Sequence, residues 1–469
     1  MHQKNLQNTA ACLLVSFALI STAAAQQPSR FRLADLAGKD LIDLPHVESD
    51  FTSLKSQPTG KEMGLPEFVA LSLQDNSQIR QARSQLESAE ARVGVARADI
   101  LPLVSLRIAN GSEKSESSTI PLETGKHTYY SRSMRLTQPV LNLPVFKELD
   151  SSRQAKDASS LRLQSTREAT SLATAKATID LAVARITLNF SDAQLEQLNK
   201  ILSYLEARTS AGASSLIDLE RARTRVLTAR QARLEQQTNY RNAMFELDRL
   251  TGVKPTTLEL PFLKLLPALP NNDEQIRQYV HEQNFELLAL RKDVNAQRST
   301  VKGEYGKYLP ILGISLEMDN TENVRGTNAP WKDTRALVVM TWNASLAGKE
   351  YYSAQLANAE LRNREAKLED ETQRLSQATE ADIALLQSAE LRLQAAEAEQ
   401  ASALAVVNAV DEQLKNGRIG SLLEALDASD RLFGARFRIA QTLSQQMKAH
   451  AQLLARLGLL SNVQTQAKR

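Results

Sequence analysis

Between Phe146 and Leu250 the chain has no proline and a single glycine, Gly212. Between Lys349 and Leu457 it again has no proline, and Gly417 and Gly420 fall near the middle. Proline removes a backbone donor and glycine adds backbone freedom, so each stretch can stay helical except at its glycines. Each reads as a long helix, a tight turn, and a shorter helix coming back beside it. A helix over 146–207 would reach roughly 95 Å at 1.5 Å per residue, far longer than the few turns usual in a globule. Near its end Leu195, Leu198, Leu202 and Leu205 are spaced three, four, three, which is a coiled-coil seam. In the second stretch Leu368 and Leu375, and Leu386 and Leu393, stand seven apart. Two such hairpins in one chain predict a tall helical tube. Aromatics at 5% and only 17 glycines in 469 residues fit long helices better than a compact mixed core.

The N-terminus carries an export signal. Lys4 precedes an apolar run from Ala10 to Ile20, and Ala23-Ala24-Ala25 offers a small-residue cleavage site, which makes 1–25 a signal peptide. The sole cysteine, Cys12, lies inside that run. Thr9-Ala10-Ala11-Cys12 has its apolar residues after the cysteine instead of before it, which argues against a lipid anchor. Cleavage after Ala25 would leave no thiol and no disulfide. Residues 26–64, with Pro28, Pro45 and Pro58, read as a polar tail. No later stretch is long and apolar enough for a transmembrane helix. An exported chain of this kind is periplasmic, secreted, or part of an outer-membrane β-barrel.

The remainder divides into two copies of one plan: 65–252 and 272–460, joined by a linker, 253–271, that holds Pro255, Pro261, Pro267 and Pro270. Residues 461–469 form a C-terminal tail. In the first copy Phe68, Leu71, Ile79, Ala82, Leu86, Ala89 and Val93 recur at helical spacing from Phe68 to Ile100. After Leu101-Pro102 the period changes to two: Val104, Leu106 and Ile108 alternate with Ser105 and Arg107, and Tyr129–Val140 reads as the return strand. The second copy keeps the register. Asn284 stands 26 residues before Pro310, as Asn76 does before Pro102. Leu312, Ile314, Leu316 and Met318 then alternate with Gly313, Ser315, Glu317 and Asp319, and Thr334–Ser345 returns. A second long helix over 350–415 and a return helix over 421–457 follow. Helix lengths allow each long helix to be flanked by two shorter ones stacked end to end. The strand hairpins then lie at one end and the glycine turns at the other.

Strands of this length, with one apolar and one polar face, suit a bacterial outer membrane when tilted. Tyr129, Tyr130, Trp331 and Trp342 sit near strand ends, where membrane-interface aromatics collect. Four strands cannot close a membrane barrel, whose smallest members have about eight. If these strands meet lipid, the chain must oligomerise, because open backbone hydrogen bonds are not tolerated in hydrocarbon. The alternative is a pair of hairpins capping a soluble helical bundle.

The chain resembles the TolC-type outer-membrane efflux protein family. The resemblance is carried by Leu136-Thr137-Gln138-Pro139-Val140-Leu141, by Gly212 followed by Ser215-Leu216-Ile217-Asp218-Leu219 and Ala222, by Leu250-Thr251-Gly252, by Leu309-Pro310, and by Gly417 followed by Ser421-Leu422-Leu423-Glu424-Ala425-Leu426-Asp427-Ala428. It covers about 64–460. It implies a mainly α chain: a long α-helical coiled-coil barrel whose β-hairpins, four strands per protomer, join a trimeric twelve-stranded transmembrane barrel. It implies a homotrimer in outer-membrane lipid, with its helical tunnel in the periplasm, docked on a periplasmic adaptor (membrane fusion) protein and an inner-membrane transporter. The activity implied is a passive exit duct of a tripartite efflux pump or a type I secretion system. It also implies site residues. Glu424 and Asp427, three apart on one helix face, match the acidic ring that narrows the periplasmic mouth, and Asp218 matches the equivalent position of the first copy. Carboxylates in a first helical turn also favour the helix dipole, which explains the same residues without a pore. Arg418 is the nearest basic gate partner, one or two positions out of register. Gly212, Ser215, Leu216, Gly417, Ile419, Gly420 and Leu422 would form the adaptor-docking tips, although tight turns and internal packing account for them equally.

Enzymatic readings find no support. His2, His46, His127, His281 and His450 are scattered, and no cluster has metal-ligand spacing. Ser299 and Lys302 form an isolated S-x-x-K, and there is no Gly-rich phosphate loop. No cofactor is expected. Net charge is +3 with acids and bases interleaved, which gives no reason to expect nucleic acid. The rival in another class is a periplasmic coiled-coil adaptor or structural protein without a membrane barrel. The cargo is not legible.

Overall fold

The computed structural model describes residues 64–114, 126–253, 266, 268–270, 272–324, 330–415 and 422–462, all in the unit Ser56–Arg469. The signal segment 1–25, nearly all of the tail 26–64 and most of the linker lie outside the described residues, as does the turn with Gly417, Arg418, Ile419 and Gly420.

The element order is α1 (Leu65–Gln74), α2 (Ser77–Ala98), β1 (Leu103–Lys114), β2 (Lys126–Leu141), α3 (Leu143–Ser210), α4 (Leu216–Thr251), α5 (Asp273–Gln283), α6 (Phe285–Gly306), β3 (Ile311–Glu322), β4 (Trp331–Thr341), α7 (Lys349–Lys415), α8 (Leu422–Arg456) and a 3-10 turn at Leu460–Asn462. No helix among the described residues is long and apolar enough to cross a membrane.

The helix expected to run unbroken from Phe68 to Ile100 is two helices. Asn76 leaves the helical region (φ −80, ψ 133) and its side chain accepts the Gln78 N–H at 2.8 Å, capping α2. The second copy breaks at the matching residue. Asn284 (φ −64, ψ 122) accepts the N–H groups of Glu286 at 3.0 Å and Leu287 at 3.2 Å, and its own amide donates to the Arg456 carbonyl at 3.3 Å. The apolar period runs straight through both breaks, so periodicity alone cannot reveal them. The capping asparagine can.

The two long helices have 68 and 67 residues, about 100 Å each at the α-helical rise. Pro144 sits in the first turn of α3, where its missing N–H costs nothing. α3 packs on α2 and α6 over one part of its length and on α4 and α8 over the other, with α1 against it between them. α7 packs mainly on α6 and α8, and most of its remaining surface is exposed.

The middle of α3 is unusual for a core helix. Thr166, Thr170, Thr174 and Thr178 each donate a hydroxyl to the carbonyl four residues back, at 2.7–2.9 Å. A hydroxyl satisfied by its own helix demands no partner, so small polar residues can be buried there and let neighbours approach closely. Phe68 of α1, Ala177 and Leu181 of α3, and Leu247 and Leu250 of α4 form a cluster at this level. Glu168 is buried beside it and accepts the N–H groups of Leu460 and Ser461 at 3.1 and 3.2 Å, which fixes the last described turn onto α3. Burial pushes the Glu168 carboxyl above its ordinary range, against the opposing pull of these hydrogen bonds. Between α3 and α6 polar contacts are made too: Ser299 donates to Asp150 at 2.7 Å, and Lys292 to Asp157 at 3.2 Å.

The four strands form one antiparallel sheet in the order β1-β2-β3-β4. Its rows run across all four strands. Ser105, Arg135, Glu317 and Arg335 form one, and Leu106, Met134, Met318 and Thr334 the next. A bulge at Pro139–Leu141 lets β2 pass its proline, opposite Gly313. In the two middle strands the apolar face is the more exposed one, the reverse of a soluble sheet. Ile314, Leu316 and Met318 are 43, 44 and 56% exposed and Leu106 69%, whereas Ser315 on the polar face is 5% exposed. β4 is a partial exception, with Leu337 and Val339 on the polar side.

Candidate functional site

The α3–α4 turn shows how one end of the helical body is built. Gly212 has φ +70, a left-handed conformation that only glycine adopts cheaply. It lets the Ala213 N–H reach the Arg208 carbonyl at 2.8 Å, and Arg208 donates back to the Ala213 carbonyl at 3.2 Å. Ser215 then caps α4, its hydroxyl accepting the Ile217 N–H at 3.2 Å. Leu216 and Ile217 each remain 64% exposed at the tip.

The start of α8 comes to the same end. Leu198, Ile201 and Leu205 of α3 pack with Leu219, Ala222, Val226 and Ala229 of α4, and Leu426 of α8 completes the cluster. This packing sets the first turns of α4 and α8 side by side at one end. Glu424 is exposed in the first turn of α8. Asp218 is half exposed in the first turn of α4 and pairs with Arg221 at 3.7 Å.

Asp427 does not stand alone. Arg225 of α4 reaches across to α8, with one terminal nitrogen 3.8 Å from Asp427 and the other 2.9 Å from Asp430. Gln194 of α3 donates to the second oxygen of Asp430 at 3.1 Å. One guanidinium thus ties two carboxylates and, through Gln194, three helices. Sequence reading missed Arg225, Asp430 and Gln194. The available signal was spacing: Asp218, Ala222 and Arg225 lie along one face of α4, and Asp427 and Asp430 along one face of α8. Arg418, the basic residue expected at this level, lies outside the described residues.

At the far end of the molecule the aromatics occupy two levels of the sheet. Tyr129 and Tyr130 pair with Gly111 and Asn110 near the β1–β2 connection, and Trp331 pairs with Thr321 at the same level. Trp342 lies just past β4 at the helix end, its indole donating to the Tyr308 carbonyl at 3.2 Å. Among the described residues no group of three or more His, Cys, Asp or Glu is placed to hold a metal ion.

Residues 69–253 match the family described as Outer membrane efflux protein. The chain is 22% identical to the protease secretion protein PrtF of Dickeya chrysanthemi, over 86% of this chain and 90% of that one. It is 19% identical to the outer membrane protein TolC of Escherichia coli K12, over 82% and 80%. Its fold matches that of the outer membrane protein VceC from Vibrio cholerae with a TM-score of 0.73 at 16% identity, covering 84% of this chain and 96% of that one. An inverted sheet on a body of long helices, together with these matches, defines an outer-membrane efflux channel. More particularly, these matches support a TolC-type protein. Family and fold are those of channel proteins, not of enzymes.

Proposed function

We propose that three copies of this chain close a twelve-stranded barrel in the outer membrane, continued by a helical tunnel in the periplasm, after export directed by the N-terminal signal. The observation that carries this reading is the four-stranded sheet itself. In its two middle strands the apolar face is the more exposed one, and neither edge is paired among the described residues. Such a sheet is unstable in water and incomplete in lipid, and it is complete only when edges meet in a closed ring. The open surface of α7 supports the same closure at the level of the helices.

The channel is passive. The exposed tip residues Leu216 and Ile217, with Ser215 and the second turn, supply the surface on which a periplasmic adaptor docks, and an inner-membrane transporter drives transport through that adaptor. Glu424 and Asp427, threefold repeated, form the acidic constriction, and Asp218 adds to it. Such rings favour cations and repel anions. Arg225 is the basic partner that restrains this ring. Relatives named for protease secretion and for pyoverdine export support a duct whose cargo is chosen by the pump.

The test is conductance of the purified protein in a planar bilayer, wild type against E424A/D427A. Small cation-selective openings that lose selectivity in the variant support both duct and ring. A channel unchanged by the substitutions sinks the ring. A protein that stays soluble without detergent and never inserts sinks the barrel.

A further inference from the structure

The apolar rows of the sheet stop at Leu106, Met134, Met318 and Thr334. One row nearer the strand connections the same face carries Ile108, Arg132, Asn320 and Lys332, and the row beyond has Asn110, Tyr130 and Glu322. At the last paired level of β1 and β2, Lys114 stands opposite Lys126. Among the described strand residues this face therefore holds four cations and one carboxylate, all on the side away from the helices. No charged strand residue stands on it between Arg132 and the helical body. The opposite face differs. There Arg107, Arg135 and Arg335 meet Glu113, Glu317, Asp319 and Asp333, with His127 beside Glu113. Surplus positive charge is confined to one face and one end.

Arg132 and Lys332 are exposed, and no carboxylate pairs with either among the described residues. Arg132 instead folds over the Tyr130 ring, its guanidinium 4.7 Å from the centroid, and donates from Nε to the Tyr130 hydroxyl. Tyr130 lies two residues nearer the connections, so the guanidinium is lifted away from the apolar rows, as suits a cation at a lipid boundary. Its terminal N–H groups stay available. Lys332 stands two strands away on the same row, roughly 10 Å at about 4.8 Å per strand. Asn320 between them adds an amide donor. Such a set receives an anion with several oxygens, and at a membrane surface that anion is a lipid phosphate.

We propose that Arg132 and Lys332, with Asn320 between them, hold the phosphates of lipid headgroups in the outer leaflet, the leaflet on the side of the strand connections. The proposal rests on the barrel reading above, which puts the apolar rows in lipid and the helices in the periplasm, and it adds a lipid contact confined to one leaflet. Two cations on one row repel each other more strongly at the edge of a low-dielectric medium, and a phosphate between them removes that cost. The acyl chains of the same lipid then lie along Met134, Met318 and Leu316.

The experiment is native mass spectrometry of the detergent-solubilised protein with diphosphorylated lipid A and with the same lipid stripped of its phosphates, for wild type, R132Q/K332Q, R132K/K332R and R107Q. Melting temperature with each lipid, and with inorganic phosphate, is read in parallel. Wild type is expected to retain the phosphorylated lipid at least about tenfold better than the stripped one, and R132Q/K332Q to lose that preference. R132K/K332R, which keeps both charges, and R107Q, on the opposite face, should keep it. Equal retention of the two lipids by wild type overturns the proposal, whether or not the glutamine variant folds. A preference that survives in R132Q/K332Q overturns it too, as does equal stabilisation by inorganic phosphate alone. A chain that stays soluble without detergent and retains neither lipid overturns the barrel reading itself.

Discussion

Replacing Arg225 tests the restraint at the mouth. The Arg225 side chain is 46% exposed, and Asp427 and Asp430 are 48 and 31% exposed. Ion pairs so wet contribute about 0.2–1 kcal/mol each. Two pairs on one guanidinium, the longer of them weak, stabilise the α4–α8 junction by about 1 kcal/mol per protomer. In a threefold assembly that moves as a unit the three contributions add to about 3 kcal/mol, and at about 1.4 kcal/mol per decade R225A should shift the closed-to-open ratio roughly a hundredfold. The variant is expected to raise mean conductance and the time spent open in planar bilayers, and to admit bulky antibiotics into cells. R225K keeps one positive charge but cannot reach both carboxylates, so it should fall between. Screening sharpens the assay, because at 1 M salt, where the Debye length is about 3 Å, wild type should approach R225A. If wild type and R225A conduct alike at low salt, the contact is not a restraint, and the argument from its geometry fails.

Two further predictions concern stability. Burial holds the Glu168 carboxyl above the usual 4.5, so the folded chain binds a proton there more tightly than the unfolded chain does. Its stabilising contribution is present below pH 4.5 and is lost as pH rises through the raised value, so E168Q should flatten the dependence of the melting temperature on pH above 4.5, while an unchanged slope would show that another group titrates. Removing the Asn284 cap should cost about 1–2 kcal/mol, since it strands two N–H groups and a carbonyl; N284A is expected to speed amide exchange in the first turn of α6, and equal exchange rates would refute the capping role.

Much of the architecture can be read from where proline and glycine do and do not occur. The absence of proline from 146 to 250 dictates a long helix, and Gly212 dictates where it turns, because no other residue takes its backbone conformation cheaply. The strands are legible because Val104, Leu106 and Ile108 alternate with polar neighbours. The breaks at Asn76 and Asn284 are hidden, since the apolar stripe continues across them and only a cap ends the helix. The site is harder still. Glu424, Asp427 and Asp218 could be nominated from a family pattern, but Arg225 could not. Its importance depends on α4 and α8 meeting side by side, a consequence of packing between residues about two hundred positions apart.

The buried threonine ladder and the Glu168 anchor grip α3 near its middle and leave a long arm running to Gly212. From Asp180 to Ser210 that arm is about 45 Å at the helical rise. Geometry then works as a lever. A swing of only about 5° at the grip carries the tip some 4 Å sideways, and three arms swinging together would dilate an aperture by twice that. Such a motion breaks no helical hydrogen bond and asks little of the gripped region. A small, cheap rotation at mid-length can therefore be a large event at the mouth, and weak contacts such as those of Arg225, about halfway along the arm at the level of Gln194, act on it with leverage.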